Sequence, residues 1–155
     1  MNKAGYMLDT VVFNSVAKGR LAWVAGHEVF TTHVQRDELM RTSDFAIRDR
    51  LLEAFKVIDP TSLPTDTAIW DDSRWDEAKW SSEDGMCERL LMRIVELDKE
   101  SGKKPRDPLN PSRDARIAET AIKAGLTLVT DDANLAQAAT EQGGHAVNLA
   151  AFSKL

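Results

Sequence analysis

Cysteine is almost missing from this chain of 155 residues: Cys87 stands alone, so no intramolecular disulfide can form. The three histidines are scattered without the spacing of a zinc site. Long apolar runs are missing as well, and no segment is expected to span a bilayer. The apolar start at Tyr6, Met7 and Leu8 is interrupted at once by Asp9 and has neither a basic flank nor a cleavage site, so no secretory leader is expected. These absences together point to a reducing cytoplasm. An excess of positive charge is also lacking, since 20 Lys and Arg face 25 Asp and Glu for a formal net charge of -5. That balance argues against indiscriminate nucleic-acid binding through a broad basic surface. It leaves open a nuclease that clusters carboxylates around divalent cations, where bound metal offsets their charge.

What the chain does have is the length and apolar content of one compact soluble domain. Residues 6 to 9 read as a short buried strand, and residues 11 to 25 as a segment of mixed helical spacing broken at Gly19. A second strand fits residues 28 to 31. Thr32 and Gln35 then have capping-box spacing and start a helix carrying Asp37 and Glu38. A helix follows over roughly residues 44 to 55. Residues 59 to 81, with Trp70, Trp75 and Trp80, have no readable fold. Between Ser82 and Lys99, Met86, Leu90, Leu91, Ile94, Val95 and Leu97 recur at helical period, with Gly102 as the stop.

A turn-rich linker with Pro105, Pro108 and Pro111 covers residues 103 to 112 and cannot be one continuous helix. Beyond it a helix from about Arg113 to Lys123, a strand over 126 to 130, a helix over about 133 to 142, the turn Gly143-Gly144 and a strand over 146 to 149 follow in crossover fashion. Such alternation, with near-continuous apolar strands, predicts a three-layer α/β/α fold around a central, mainly parallel sheet.

In an open α/β sheet, ligands bind in the crevice at the carboxyl ends of the strands, and acids lie there. Asp9 ends the first strand, Glu38 rides on the helix after the second, Asp114 opens the helix leading into the strand over 126 to 130, and Asp131 and Asp132 follow that strand. Four convergent carboxylates repel one another, and some protonate unless a cation holds them. A hard, oxygen-seeking Mg2+ or Mn2+ suits them, and phosphodiester hydrolysis is the matching chemistry. Each acid taken singly also reads as a helix cap or turn residue.

At this point the sequence resembles the PIN-domain family, whose best-known bacterial members are the VapC-like toxin ribonucleases. The stretches that carry the resemblance are Tyr-Met-Leu-Asp-Thr ending at Thr10, Asp-Glu-Leu ending at Leu39, Arg-Asp-Ala-Arg-Ile-Ala-Glu-Thr-Ala from Arg113, and Leu-Val-Thr-Asp-Asp ending at Asp132. It implies a single PIN-like domain over residues 1 to 155, an endoribonuclease dependent on Mg2+ or Mn2+, and RNA as substrate. Its partners would include a protein antitoxin and a second copy of the chain. It also implies that Asp9, Glu38, Asp114 and Asp132 are the metal-site acids, with the Thr130 hydroxyl orienting the last of them. Asp131 rivals Asp132 and Asp37 rivals Glu38. The variable residue that the family places after Thr130 favours Asp132, and the helical face shared with Val34 favours Glu38.

Two positions depart from the family pattern. Val11 stands where Asn or Ser is usual, and Asn134 where a further Asp is usual, so Asn134 can offer an amide to a metal-bound water but no charge. No motif matches over residues 59 to 111. Between Lys99 and Arg116, a basic stretch with Lys103, Lys104, Arg106 and Arg113 runs into Asp114, either to hold substrate phosphates or to solvate a loop. Trp70, Trp75 and Trp80 suit base stacking, packing under a loop, or a dimer contact. His33 reads as structural, and Glu119 as a solvent-facing or site-buttressing helix residue. Two other functions compete. A phosphatase that uses Asp9 as nucleophile wants a second Asp where Val11 stands. A binding module of the same fold, weak in catalysis, would follow from the changes at Val11 and Asn134.

Overall fold

A computed structural model describes residues 4–65, 84–104 and 108–155. Trp70, Trp75, Trp80 and Arg106 lie outside these described residues. Strand β1, Gly5–Leu8, is the centre of a five-stranded sheet, with β2, Glu28–Thr31, and β3, Thr61–Ser62, on one side. On the other side lie β4, Thr127–Val129, and β5, His145–Val147. Every pairing is parallel, with Tyr6 level with Val29 and with Thr127. Parallel strands need crossovers, and the helices between them supply these.

The pleat sends successive side chains to opposite faces, and the core divides accordingly. Met7 and Leu128 point into a cluster with Leu90 and Ile94 of α4, Met86–Ser101, Ile117 and Ala118 of α5, Asn110–Lys123, and Leu135 of α6, Ala133–Glu141. Tyr6, Leu8, Val29 and Val129 point the other way. There they meet Val12 and Phe13 of α1, Thr10–Ala17, Leu51 and Ile58 of α3, Phe45–Ile58, and Phe152 of α7, Leu149–Phe152. The molecule is therefore the expected α/β/α sandwich, with a sheet that is wholly parallel. At Gly5 a Cβ would stand 2.5 Å from Leu126 Cδ2 and 3.1 Å from the Phe30 ring, so a side chain there would require these neighbours to shift.

Local signals settle several boundaries. Helix α2, His33–Met40, begins with the Thr32 and Gln35 capping box complete in both directions. Gly102 ends α4 at φ 72°, the left-handed conformation that glycine adopts without strain. Helix α5 starts three residues earlier than the sequence suggests, because Pro111 falls in its first turn, where a missing N–H forfeits no helical bond. The last strand stops at Val147 because Asn148 caps α7, its side chain accepting from the Ala151 N–H at 2.8 Å. Neither α7 nor the two-residue β3 carries enough periodicity to be read in advance. No helix among the described residues is long and apolar enough to cross a membrane.

Candidate functional site

The strand order β3-β2-β1-β4-β5 reverses direction between β1 and β4. Helices leaving these two strands diverge to opposite faces and open a crevice at their carboxyl ends. Asp9 follows β1 directly and caps α1, its Oδ1 accepting from the Thr10 N–H at 2.8 Å. Its Oδ2 accepts from the Thr130 hydroxyl at 2.7 Å, across the switch point. The same hydroxyl oxygen accepts from the Asp132 N–H at 3.1 Å. Thr130, buried at the end of β4, thus ties the two sides of the crevice together. The resemblance assigned its hydroxyl to the last carboxylate; in the structure that hydroxyl donates to the first, and holds Asp132 through the backbone.

Asp132 caps α6, with Oδ1 accepting from the N–H groups of Asn134 and Leu135 at 3.0 and 3.2 Å. Its Oδ2 takes an ion pair from the Lys103 ammonium. Asp114 lies on the second turn of α5. Burial pushes its carboxyl well above the usual carboxylate range, and the charges of Asp9, Asp132 and Glu38 push it further, against the pull of Lys103. Burial also raises Asp9, with the bonds from Thr130 and Thr10 opposing it and Asp132 adding to it. Asp9, Glu38 and Asp132 are therefore each within electrostatic reach of Asp114, and Asp132 is within reach of Asp9. At Lys103, burial works against the charge, but the contact with Asp132 and the charges of Asp132, Asp98 and Asp114 outweigh it and raise the ammonium pKa.

The rival acids are engaged differently, although Asp131 borders the same cleft as Asp9 and Asp132. Asp131 Oδ1 accepts from the Leu149 N–H at 2.8 Å and anchors the start of α7. Asp37 lies 3.9 Å from Arg36 Nε and is not among the charges acting on Asp114, whereas Glu38 is. Several expectations need correction. Asn134 does not offer its amide to the crevice: it donates to Asp98 Oδ1 at 2.7 Å and to Ser101 Oγ at 3.1 Å, clamping α6 to the end of α4. Arg113, expected to meet substrate, is only 6% exposed, since α5 turns that face inward, and its guanidinium reaches Asn110 Oδ1 at 3.4 Å. Of the two readings of Glu119, the solvent-facing one is excluded: it is fully buried, 3.3 Å from Lys123 Nζ one turn on. His33, the first residue of α2, is buried, in keeping with its structural reading.

Lys104 is exposed beside Lys103. Asp98, buried at the end of α4, was missed; the available signal was an acid one turn after Ile94, on the apolar stripe of that helix.

Among the described residues, no group of three or more His, Cys, Asp or Glu side chains is gathered tightly enough to hold a metal ion on its own. The donors are all oxygen, and such a set suits a hard divalent ion that takes one or two carboxylates directly and keeps several waters.

The fold and this crevice define an α/β protein with an acidic switch-point site. The chain matches no family model and no curated protein. Among solved structures it is similar to PAE2754 from Pyrobaculum aerophilum, at 14% identity and a TM-score of 0.48 over 97% of this chain and 93% of that one. It is similar to FitAcB from Neisseria gonorrhoeae at 18% identity and a TM-score of 0.44, covering 92% and 96% of the two chains. For VapBC-1 from nontypeable Haemophilus influenzae the values are 12% and 0.45, with 93% and 97% covered.

Proposed function

We propose that this chain is a PIN-domain endoribonuclease that uses Mg2+ or Mn2+ to hydrolyse phosphodiester bonds of single-stranded or structured RNA. The observation that carries this reading is geometric: one Thr130 hydroxyl holds Asp9 and Asp132 together at the carboxyl ends of β1 and β4, and burial with the charges of Asp9, Asp132 and Glu38 pushes the nearby Asp114 carboxyl up. Such a site stores repulsion that a divalent cation relieves. Of Asp9, Glu38, Asp114 and Asp132, one or two would ligate the ion directly and the others would orient its waters. Bound there, it supplies water activation and charge neutralisation on the phosphate.

The protein's own residues do the positioning. Thr130 holds Asp9 in one orientation and the α6 amides hold Asp132. Lys103 balances Asp132 until the cation arrives and, with Lys104, is then available to substrate phosphates. As the toxin of a toxin-antitoxin pair, the protein would be restrained by a protein antitoxin, and it would act as a homodimer.

Cleavage of a labelled single-stranded RNA in Mn2+ tests the reading, with Asp9→Asn and Asp132→Asn beside the parent. Activity is expected only in the parent and only without chelator. Activity that survives chelation sinks the mechanism. The binding-module reading has one specific support: Asn134 brings no charge to the crevice and its amide N–H is spent on Asp98, so it does not replace the acid that a second ion wants. RNA binding without cleavage in any divalent metal would favour it.

A further inference from the structure

Beside the acidic crevice lies an open cleft of about 410 Å3, lined by Asp9, Asn14, Lys18, Arg20 and Asp132 among others. Helix α1 forms its floor, with Asp9 as N-cap and Lys18 as C-cap. Eight helical residues rise ~12 Å, so one end of the cleft is acidic and the other cationic. The cationic end is built rather than loose: the Lys18 N–H donates to Asn14 O at 3.0 Å and the Arg20 N–H to Ser15 O at 2.8 Å, closing the turn after the helix. Lys18 also sits at the negative end of the helix dipole, which favours its charge there. Both side chains are exposed, and neither has an ion-pair partner among the described residues, although acids line the same cleft.

We propose that Lys18 and Arg20 form a phosphate subsite that holds the RNA strand beyond the cleaved bond. The inference rests on the ribonuclease reading and adds the direction in which the strand leaves the crevice, along α1. A polyanion crossing the cleft meets a cation at each end: the divalent ion held by the acids, and the paired side chains after α1. Without a divalent ion the acidic end of the cleft repels the strand, so engagement of the subsite is coupled to metal loading.

The test uses the full chain with its acids intact and Ca2+ as the divalent ion, which takes oxygen ligands but fixes an attacking water poorly, with Lys18→Gln and Arg20→Gln combined. Anisotropy of a labelled single-stranded oligonucleotide is followed in Ca2+ over a series of monovalent salt concentrations. Loss of two phosphate contacts is expected to flatten the log-log salt slope by about 1.4, at ~0.7 per single-strand contact. The charge-preserving pair, Lys18→Arg with Arg20→Lys, is expected to keep the parental slope, which separates charge from folding. An unchanged slope in the Gln pair overturns the subsite while leaving the ribonuclease reading intact, provided the parent binds. Equal losses in the Gln and charge-preserving pairs also overturn it. Absence of RNA binding in the parent overturns both.

Discussion

Replacing Thr130 by valine removes one hydroxyl and keeps the shape of the side chain, so its cost can be worked out from two bonds. The first is the 2.7 Å bond that the hydroxyl donates to Asp9 Oδ2, with both residues buried. A hydrogen bond to a charged group contributes ~1.5–3 kcal/mol net. The second is the 3.1 Å bond accepted from the Asp132 N–H, which lies nearer solvent and recovers part of its loss from water. We expect Thr130→Val to destabilise the protein by ~2–4 kcal/mol at neutral pH, a large share of the usual ~5–15 kcal/mol. The sign with pH follows from Asp9. The Thr130 bond lowers the pKa of that carboxyl against the dominant effect of burial, so its loss raises the folded-state value further. The extra cost is therefore present where Asp9 is ionised and shrinks as acid protonates it. Urea denaturation of parent, Thr130→Val and Thr130→Ser at neutral and mildly acid pH measures this, with the serine protein expected near the parent. A loss under ~0.5 kcal/mol, or one unchanged by pH, would refute the view that this hydroxyl carries the charge of Asp9.

In chelator, folding raises the pKa of Asp114 and Asp9, so their contribution is a stability cost, absent below the ordinary carboxylate range and complete above the folded values. The thermal midpoint should fall as pH rises toward neutrality. Asp114→Asn should flatten that profile, and an identical profile would remove Asp114 from the cluster. Lys103→Met should cost ~1 kcal/mol in chelator, because its pair with Asp132 is part-exposed. It should also tighten Mn2+ binding in calorimetry by removing a competing cation, whereas unchanged affinity would mean that no competition exists. Asp131→Ala should cost ~1 kcal/mol and speed proteolysis at the C-terminus, since Asp131 holds the first N–H of α7; an unaltered digestion pattern would count against that anchor. Leu90→Ala, at a fully buried core position, should cost ~2–5 kcal/mol by denaturation, and a smaller loss would show that the core closes over the gap.

The elements legible in the sequence are those whose causes lie within a few residues. The bounds of β2, the capping box at Thr32 and Gln35, and the glycine stop of α4 each follow from hydrogen bonds and dihedral preferences that need no distant partner. Helix and strand alternation then limits the sheet to parallel crossovers, and this places Asp9, Asp114 and Asp132 along one edge by chain geometry alone. Partner choice was not legible. Asp132 meets Lys103 across 29 positions and Asn134 meets Asp98 across 36. Both depend on how the end of α4 passes the start of α6, which no local pattern encodes.

The same holds for burial of charge on α5. Arg113 and Arg116 read as part of a basic stretch offered to substrate, and Glu119 as solvent-facing or site-buttressing, and all three are buried. Periodicity identifies an apolar face, but which flanks of a helix are also covered depends on the number of elements packed around it. The sequence by itself determined the layers, the parallel sheet and the acids at its edge, because these follow from local propensity and chain direction. Only the tertiary structure decided which acids face one another, which turn away to cap α7 or hold Asn134, and where the cations sit, because those choices are set by contacts between segments far apart in the chain.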